Sequence, residues 1–357
     1  MILRLASNKG GSPCKAWGWS QQSPLNYPSL LLAFCHNIVL HRCRLCVLTS
    51  MCSYFIWNGP PTDGTSSSDR DISFEERFDP TTTFSCLRAY SKAEFEALYE
   101  EQYHLGRGGY GSVWAGIRKQ DNLSVAMKHI VVREGNGLLT PDHWTLEISL
   151  MLKVKGEPGS ASPGAAVQLL DWFKLDQELI LVQERPVPST DLLHYVKTKW
   201  DRLEEQEAKM IMQKVIKAIT DIHSKGVLHR DIKPENILIE TGYNVPRVWI
   251  IDFGCGYFLH HNVYDNFSGT SRYYPPEWFE HQSYRAEPMT VWQIGLLAYQ
   301  MLVGEYPFDT EQELISKEPR IGSELSPNCQ EFVRSCLAKQ PQERLPLDSL
   351  LAHPWLQ

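Results

Sequence analysis

The chain of 357 residues has no surplus of positive charge: 35 lysines and arginines stand against 42 acids, a net charge of −7. General nucleic-acid binders show the opposite balance, so nucleic acid is not an expected partner; an acidic protein suits a locally basic one. The chain also lacks an uninterrupted apolar run of the ~20 residues that a membrane-spanning helix needs. Two shorter runs, SLLLAFCHNIVL (29–40) and LCVLTSMCSYFIW (45–57), are parted by Arg42 and Arg44. The first comes late for a secretory leader and is broken by His36 and Asn37, so neither a leader nor a stable membrane anchor is expected.

Cysteine is scarce where a disulfide framework would need it. Five of the nine cysteines (Cys14, Cys35, Cys43, Cys46, Cys52) fall in the first 60 residues, and Cys86, Cys255, Cys329 and Cys336 lie far apart. An odd, scattered set reads as reduced thiols, which gives a cytoplasmic expectation, extended to the nucleus as well. Cys43 and Cys46 form C-x-x-C near His36 and His41, but no second pair lies at zinc-binding spacing, so no zinc site is expected. NGPPTDGTSSSDRD (58–71) is too poor in apolar residues to build a core, and residues 1–90 are read as a loosely structured extension. Internal repeats are absent.

From about Phe95 the pattern becomes that of a folded domain. YGSVWAGI (110–117) and LSVAMKHIVV (123–132) have strand character, and ELILVQERPVP (178–188) reads as a buried strand stopped by prolines. TPDHWTLEISLMLKV (140–154) reads as a helix, with Thr140 as cap, Pro141 at the first position and Asp142 near the positive end of the dipole. In EAKMIMQKVIKAITDIH (207–223), Ile211, Val215, Ile219 and Ile222 recur at helical spacing. TVWQIGLLAYQMLV (290–303) is apolar nearly all round, the mark of a helix buried in a domain centre. Both helices are expected to serve as core scaffold.

LGRGGYGSV (105–113) contains G-x-G-x-x-G at Gly106, Gly108 and Gly111. Glycines let a backbone approach phosphates and turn its N–H groups toward them. The motif alone is weak, with about 0.1 chance matches expected in such a chain. The next element in the chain is a strand, which excludes a dinucleotide fold and suits a hairpin closing over nucleotide phosphates. Leu105 and Val113 would wall the adenine. Lys128, inside an apolar strand, needs a partner to offset desolvation, and Glu147 on the next helix is the candidate. Such a pair would aim the ammonium at the α/β-phosphates.

HRDIKPENIL (229–238) and IIDFG (250–254) supply the rest. Phosphoryl transfer asks for positioning, neutralisation by a divalent cation and a place for the nucleophile's proton. Asp231 would accept the proton of a substrate hydroxyl, Lys233 would steady the moving phosphoryl, and Asn236 and Asp252 would hold Mg2+, with Mn2+ as an alternative. H-R-D with its asparagine arises by chance on the order of 10⁻³ times per chain.

With GRGGYG, VAMK, a helix glutamate, HRDIKPEN, DFG and PPE (275–277) in order, the chain from Phe95 to Gln357 resembles the eukaryotic protein kinases. Lys233 is similar to the serine/threonine class, and LLDWF, ERPVP, GVLHRDIK, PPEWF and TVW resemble the Pim kinase family. The resemblance implies an α+β, bilobal protein kinase fold. A small β-rich N-lobe with one key helix would span about 95–185, and a larger, mainly helical C-lobe about 187–357. It implies ATP as phosphoryl donor, protein substrates and a monomer. Nucleotide contacts would come from Leu105, Gly106, Arg107, Gly108, Gly109, Tyr110, Gly111, Val113, Ala126, Lys128, Gln183, Glu184, Pro186, Asp191, Leu238 and Ile251. Thr270 would order Asp231 and Lys233, and Glu277 would pair with Arg344.

The departures matter too. Gln183 puts a polar group at the back of the nucleotide pocket, where the family is apolar. Pro186 stands where most kinases donate a backbone N–H to adenine, and proline has none, so one hinge hydrogen bond is expected, from the adenine amino group to the Glu184 carbonyl. Thr290 stands where most protein kinases carry aspartate. Ser268 is a candidate phosphosite with Arg230 as partner. Asp191, Glu235, Glu305, Asp309, Glu311 and Glu313 suggest substrates with arginine near the phosphosite. The rival from another class is a pseudokinase scaffold, which would be marked by loss of Lys128, Glu147, Asp231, Asn236 or Asp252; all five are present.

Overall fold

The computed structural model describes residues 90–108, 111–131, 141–155, 165–243 and 246–357, without the side chains of 141–144. The extension before Tyr90, with its apolar runs, linker and Cys43–Cys46 pair, lies outside the described residues, as do Gly109, Tyr110 and the cap expected at Thr140.

The first element is a short helix, α1 (Lys92–Leu98), which starts ahead of the expected boundary at Phe95. A capping box creates it: Glu94 N–H donates to Ser91 Oγ at 3.2 Å, and Ser91 N–H donates to Glu94 Oε2 at 2.8 Å. Phe95 then meets Phe173 edge-on at 5.2 Å, which fixes α1 on a sheet. A helix this short is stable only through such packing.

The sheet is antiparallel, in the order β1-β2-β3-β5-β4, with β1 (Tyr99–Gly108), β2 (Gly111–Arg118), β3 (Leu123–Val131), β4 (Leu169–Lys174) and β5 (Glu178–Glu184). Helix α2 (Pro141–Val154) connects β3 to β4 in sequence. The period of two along β3 decides the site. Val125 and Met127 face the α1 side with Ile180 and Val182. Ile130 faces the other way and joins Ile148, Leu150 and Met151 of α2. Lys128, two positions before Ile130, is directed by the same alternation toward α2.

The second lobe is mainly helical: α3 (Leu192–Lys197), α4 (Glu205–Ser224), α5 (Pro276–His281), α6 (Ala286–Val303), α7 (Glu311–Ser316) and α8 (Pro327–Cys336). The four isoleucine and valine positions expected to point inward from α4 are all buried, with Met212 and Ile216 beside them. Helix α6 is buried on every side, as its composition demands. Small sheets carry the loops between these helices. One is β6-β8-β9 (Ser189–Asp191, Ile237–Glu240, Arg247–Ile250), and the other pairs β7 (Val227–Leu228) with β10 (Tyr257–Phe258). This is the bilobal α+β arrangement that the resemblance implies. Among the described residues, no helix is long and apolar enough to cross a membrane.

Candidate functional site

Lys128 reaches the carboxylate expected to pair with it and a second one besides. Its Nζ lies 2.7 Å from Glu147 Oε1 and 2.7 Å from Asp252 Oδ1. Burial works against the ammonium, but Glu147 and Asp252 outweigh it and hold the Lys128 pKa above its usual value. Burial alone would lift the Asp252 carboxyl; the neighbouring Lys128 ammonium instead keeps it below the usual carboxylate range. Gly254 permits this convergence. A Cβ there would come within 3.2 Å of both Lys128 Nζ and Asp252 Oδ1.

The loop between β7 and β8 assembles a second cluster around Asp231. Lys233 Nζ lies 2.7 Å from Asp231 Oδ2 and donates to Thr270 Oγ1 at 2.5 Å. Thr270 N–H donates to Asp231 Oδ1 at 2.9 Å. Asn236 Nδ2 donates to the Asp231 carbonyl at 2.8 Å and to Oδ2 at 3.0 Å. Two residues here, Arg230 (φ 67°) and Asp252 (φ 64°), hold left-handed backbone that non-glycine residues adopt at a cost of about 1–3 kcal/mol, a feature that gathers at functional sites.

Asn236 spends its amide hydrogens on Asp231, and its side-chain oxygen accepts no hydrogen bond from the described residues. Asp252 Oδ1 accepts from Lys128 and from Gly254 N–H at 3.2 Å, which leaves Oδ2 free in the same sense. A neutral and an anionic oxygen of this kind fit a hard divalent cation that completes its shell with phosphates and water.

The glycine-rich hairpin is the β1–β2 turn, with Gly108 opposite Gly111. Gly106 and Gly108 face open space, whereas a Cβ on Gly111 would collide with the His129 carbonyl of β3, so this position requires glycine. Arg107 is exposed. The expected adenine walls Leu105, Val113, Ala126, Leu238 and Ile251 all keep part of their surface open. Ala126 lies opposite Gln183 in the β3–β5 ladder. Gln183 is buried and points its Nε2 at Met151 Sδ, 3.6 Å away on α2. The Glu184 backbone N–H is spent on the Gln168 carbonyl at 2.9 Å, and the Pro186 carbonyl accepts from Ser189 Oγ at 2.7 Å. Asp191 caps α3, accepting from His194 N–H at 2.8 Å.

Arg230 is held by its own chain in the unphosphorylated state. Its Nε donates to the Cys255 carbonyl at 2.5 Å, Nη2 to the Gly256 carbonyl at 3.1 Å and Nη1 to the Asn266 carbonyl at 3.4 Å. Its guanidinium also lies 5.2 Å from the Tyr257 ring centroid. These carbonyls belong to the segment after Asp252, and pairing with a phosphorylated Ser268 stays the expectation drawn from the sequence. Glu277 and Arg344 do pair, through two bonds of 2.8 Å and 2.6 Å.

One polar contact escaped the sequence reading. Gln293 of α6 is fully buried; its Nε2 donates to the Arg230 carbonyl at 2.8 Å and its Oε1 accepts from Ile232 N–H at 3.1 Å. The available signal was an amide inside a helix apolar all round, since a buried amide must find partners.

The chain matches the protein kinase domain family over residues 99–356. It is 37% identical over 274 residues to the serine/threonine-protein kinase pim-2 of Danio rerio, covering 74% of this chain and 86% of the relative. It is 32% identical over 281 residues to the serine/threonine-protein kinase prk-2 of Caenorhabditis elegans, covering 76% of this chain and 60% of that protein. A PAS domain-containing serine/threonine-protein kinase of Mus musculus is 27% identical over 75% of this chain, which spans 19% of that relative. With the Lys128–Glu147–Asp252 cluster and the Asp231 loop in place, the chain belongs to the eukaryotic protein kinases, as an ATP-dependent serine/threonine kinase of the Pim-like kind.

Proposed function

We propose that the protein phosphorylates serine and threonine in arginine-rich sequence contexts, with Asp231 as the base that receives the hydroxyl proton. The observation that carries this reading is the link through Lys233, which touches both Asp231 and Thr270. Both Asp231 oxygens are fixed, so the carboxylate is oriented before substrate arrives, and preorganisation of this kind lowers the barrier to transfer. Lys233 is placed to hold the transferred phosphoryl, and Thr270 to seat the substrate chain. Lys128, braced by Glu147, orients the nucleotide phosphates. Asn236 and Asp252 would hold the divalent cation, which when bound neutralises charge on the phosphates.

The preference for basic substrates rests on acids without intramolecular cations. Glu235, Glu305, Asp309 and Glu311 are exposed, with no ion-pair partner among the described residues. Glu313 is excluded from that group, because Lys317 Nζ lies 2.6 Å from it and Asp309 N–H donates to it at 3.1 Å. The test is phosphotransfer from Mg-ATP to a serine/threonine peptide library, with Lys128→Met as control and Mn2+ in a parallel arm. Arginine-rich peptides should dominate, and Glu235→Ala should lower their kcat/KM. Equal turnover of basic and acidic peptides would overturn the specificity; absence of transfer in any context would overturn catalysis.

A further inference from the structure

We propose that Gln293, from the buried helix α6, is a positioning residue for phosphoryl transfer: it clamps the backbone on both sides of Asp231 and so sets the direction of the base. The inference rests on the assignment of Asp231 as base.

The geometry is specific to that task. The Arg230 carbonyl to which Gln293 donates immediately precedes Asp231, and the Ile232 N–H from which it accepts comes immediately after. Arg230 carries the left-handed backbone, φ 67°, and such a conformation persists only where its surroundings over-determine it. A fully buried amide that uses its donor and its acceptor on one strained turn supplies that determination. Other groups finish the hold. Asp231 N–H donates to His229 Nδ1 at 3.3 Å, and His229 Nε2 donates to the Ile251 carbonyl at 3.0 Å.

The other polar residues of α6 are engaged elsewhere: Glu287 accepts from Leu347 N–H and Tyr299 OH donates to the Arg320 carbonyl, each at 2.8 Å. Thr290, the departure from the usual aspartate, is turned elsewhere: its Oγ1 donates to the Ala286 carbonyl at 2.8 Å and lies 3.4 Å from His223 Nε2. Gln300 lies two turns along the same face and accepts from Tyr273 OH at 2.6 Å. It anchors the segment after Thr270. The helix thus presents two amides, one to the base and one to the substrate-binding segment.

The test uses the full chain with Mg-ATP and a serine peptide. Gln293→Met keeps volume and removes both bonds. Its kcat should fall by about 30-fold or more, since a small misplacement of a catalytic group costs on the order of 10²-fold, while KM for ATP stays within about threefold. Gln293→Glu provides a second readout if the methionine variant does not fold. As a carboxylate it can accept from Ile232 but sets an anionic oxygen against the Arg230 carbonyl; as a carboxylic acid it can make both bonds. The titratable and charged groups of the loop beside these two bonds are His229, Arg230, Asp231 and Lys233, and His223 of α4 meets Thr290, one turn before Gln293, at 3.4 Å. Burial lowers both imidazoles, His223 to about 4. The ratio of Gln293→Glu to unsubstituted kcat should therefore rise as pH falls from about 8.5 to about 6, because burial raises a carboxyl pKa. A Gln293→Met enzyme with undiminished kcat, or a pH-independent ratio for Gln293→Glu, would overturn the role of Gln293. An Asp231→Asn enzyme that keeps full kcat would overturn the assignment of the base instead.

Discussion

The Lys128–Glu147 and Arg344–Glu277 pairs are both buried, yet they are built differently. Arg344 has no exposed side-chain surface and Glu277 is 5% exposed. Beyond its two bonds to Glu277, the guanidinium donates to the carbonyls of Ala338, Pro288 and Lys339 at 2.9, 2.9 and 3.2 Å. Nothing on that cation is left for a ligand. Lys128 is instead shared with Asp252, whose side chain is 41% exposed. One pair is closed on the protein, and the other includes a carboxylate open to the cleft. A closed pair suits a role in the fold, whereas an open one suits the role proposed for Lys128 in the reaction.

Substitutions at the two cations should separate these uses. Lys128→Met should lower kcat/KM by about 10³-fold, in line with loss of a preorganised charge at a phosphoryl site, and it also costs stability, because it leaves Glu147 buried without its cation. Phosphotransfer assays beside urea unfolding would show this. Arg344→Met should lower kcat/KM far less. It leaves Glu277 buried without its cation, which costs about 3–5 kcal/mol, read as a drop in the urea midpoint. Equal losses of kcat/KM in the two variants would erase the distinction.

A half-buried group with no carboxylate partner among the described residues sharpens the contrast. His223, at the end of α4, has its pKa lowered from 6.5 to about 4 by burial, with His229 acting in the same direction. The unfolded chain therefore binds more protons between those values, so stability is lost as pH falls through that window and levels off above about pH 7. By pH 5 the loss from His223 is on the order of 2 kcal/mol. His223→Leu should flatten the urea midpoint between pH 7 and pH 5; an unchanged slope would show that His223 is not what titrates.

Legibility in the sequence depended on how local each contact is. The 3.6-residue period exposed the inner face of α4, and the close spacing of Asp231, Lys233 and Asn236 declared the loop's chemistry. Lys128 announced its need for a partner because an ammonium in an apolar strand is costly alone. Gln293 gave no comparable clue to its partners, which lie 63 and 61 residues away in sequence. Only the packing of α6 beneath the loop brings them together. Arg230 illustrates a different limit. A sequence displays cations and possible phosphosites but not carbonyls, and carbonyls are what Arg230 found. Asp191 looked like a ligand residue, but it also stands directly before a helix, where carboxylates cap.

The hinge offers the smallest predicted effect. Pro186 has no N–H to give adenine, so at the expected hinge contact the nucleotide would lack one hydrogen bond relative to a kinase with any other residue. Pro186→Ala restores a donor at a buried position whose carbonyl is already held by Ser189 Oγ. A net hydrogen bond contributes about 0.5–1.5 kcal/mol, so ATP Kd and KM should fall about three- to tenfold. The same change frees the unfolded chain and should lower stability by about 0.4–1 kcal/mol. Opposite signs for affinity and stability distinguish a gained hinge bond from general loosening, which would weaken both. Isothermal titration with ATP beside urea unfolding reads the two together. An unchanged ATP Kd would mean that the missing N–H does not limit nucleotide binding in this protein.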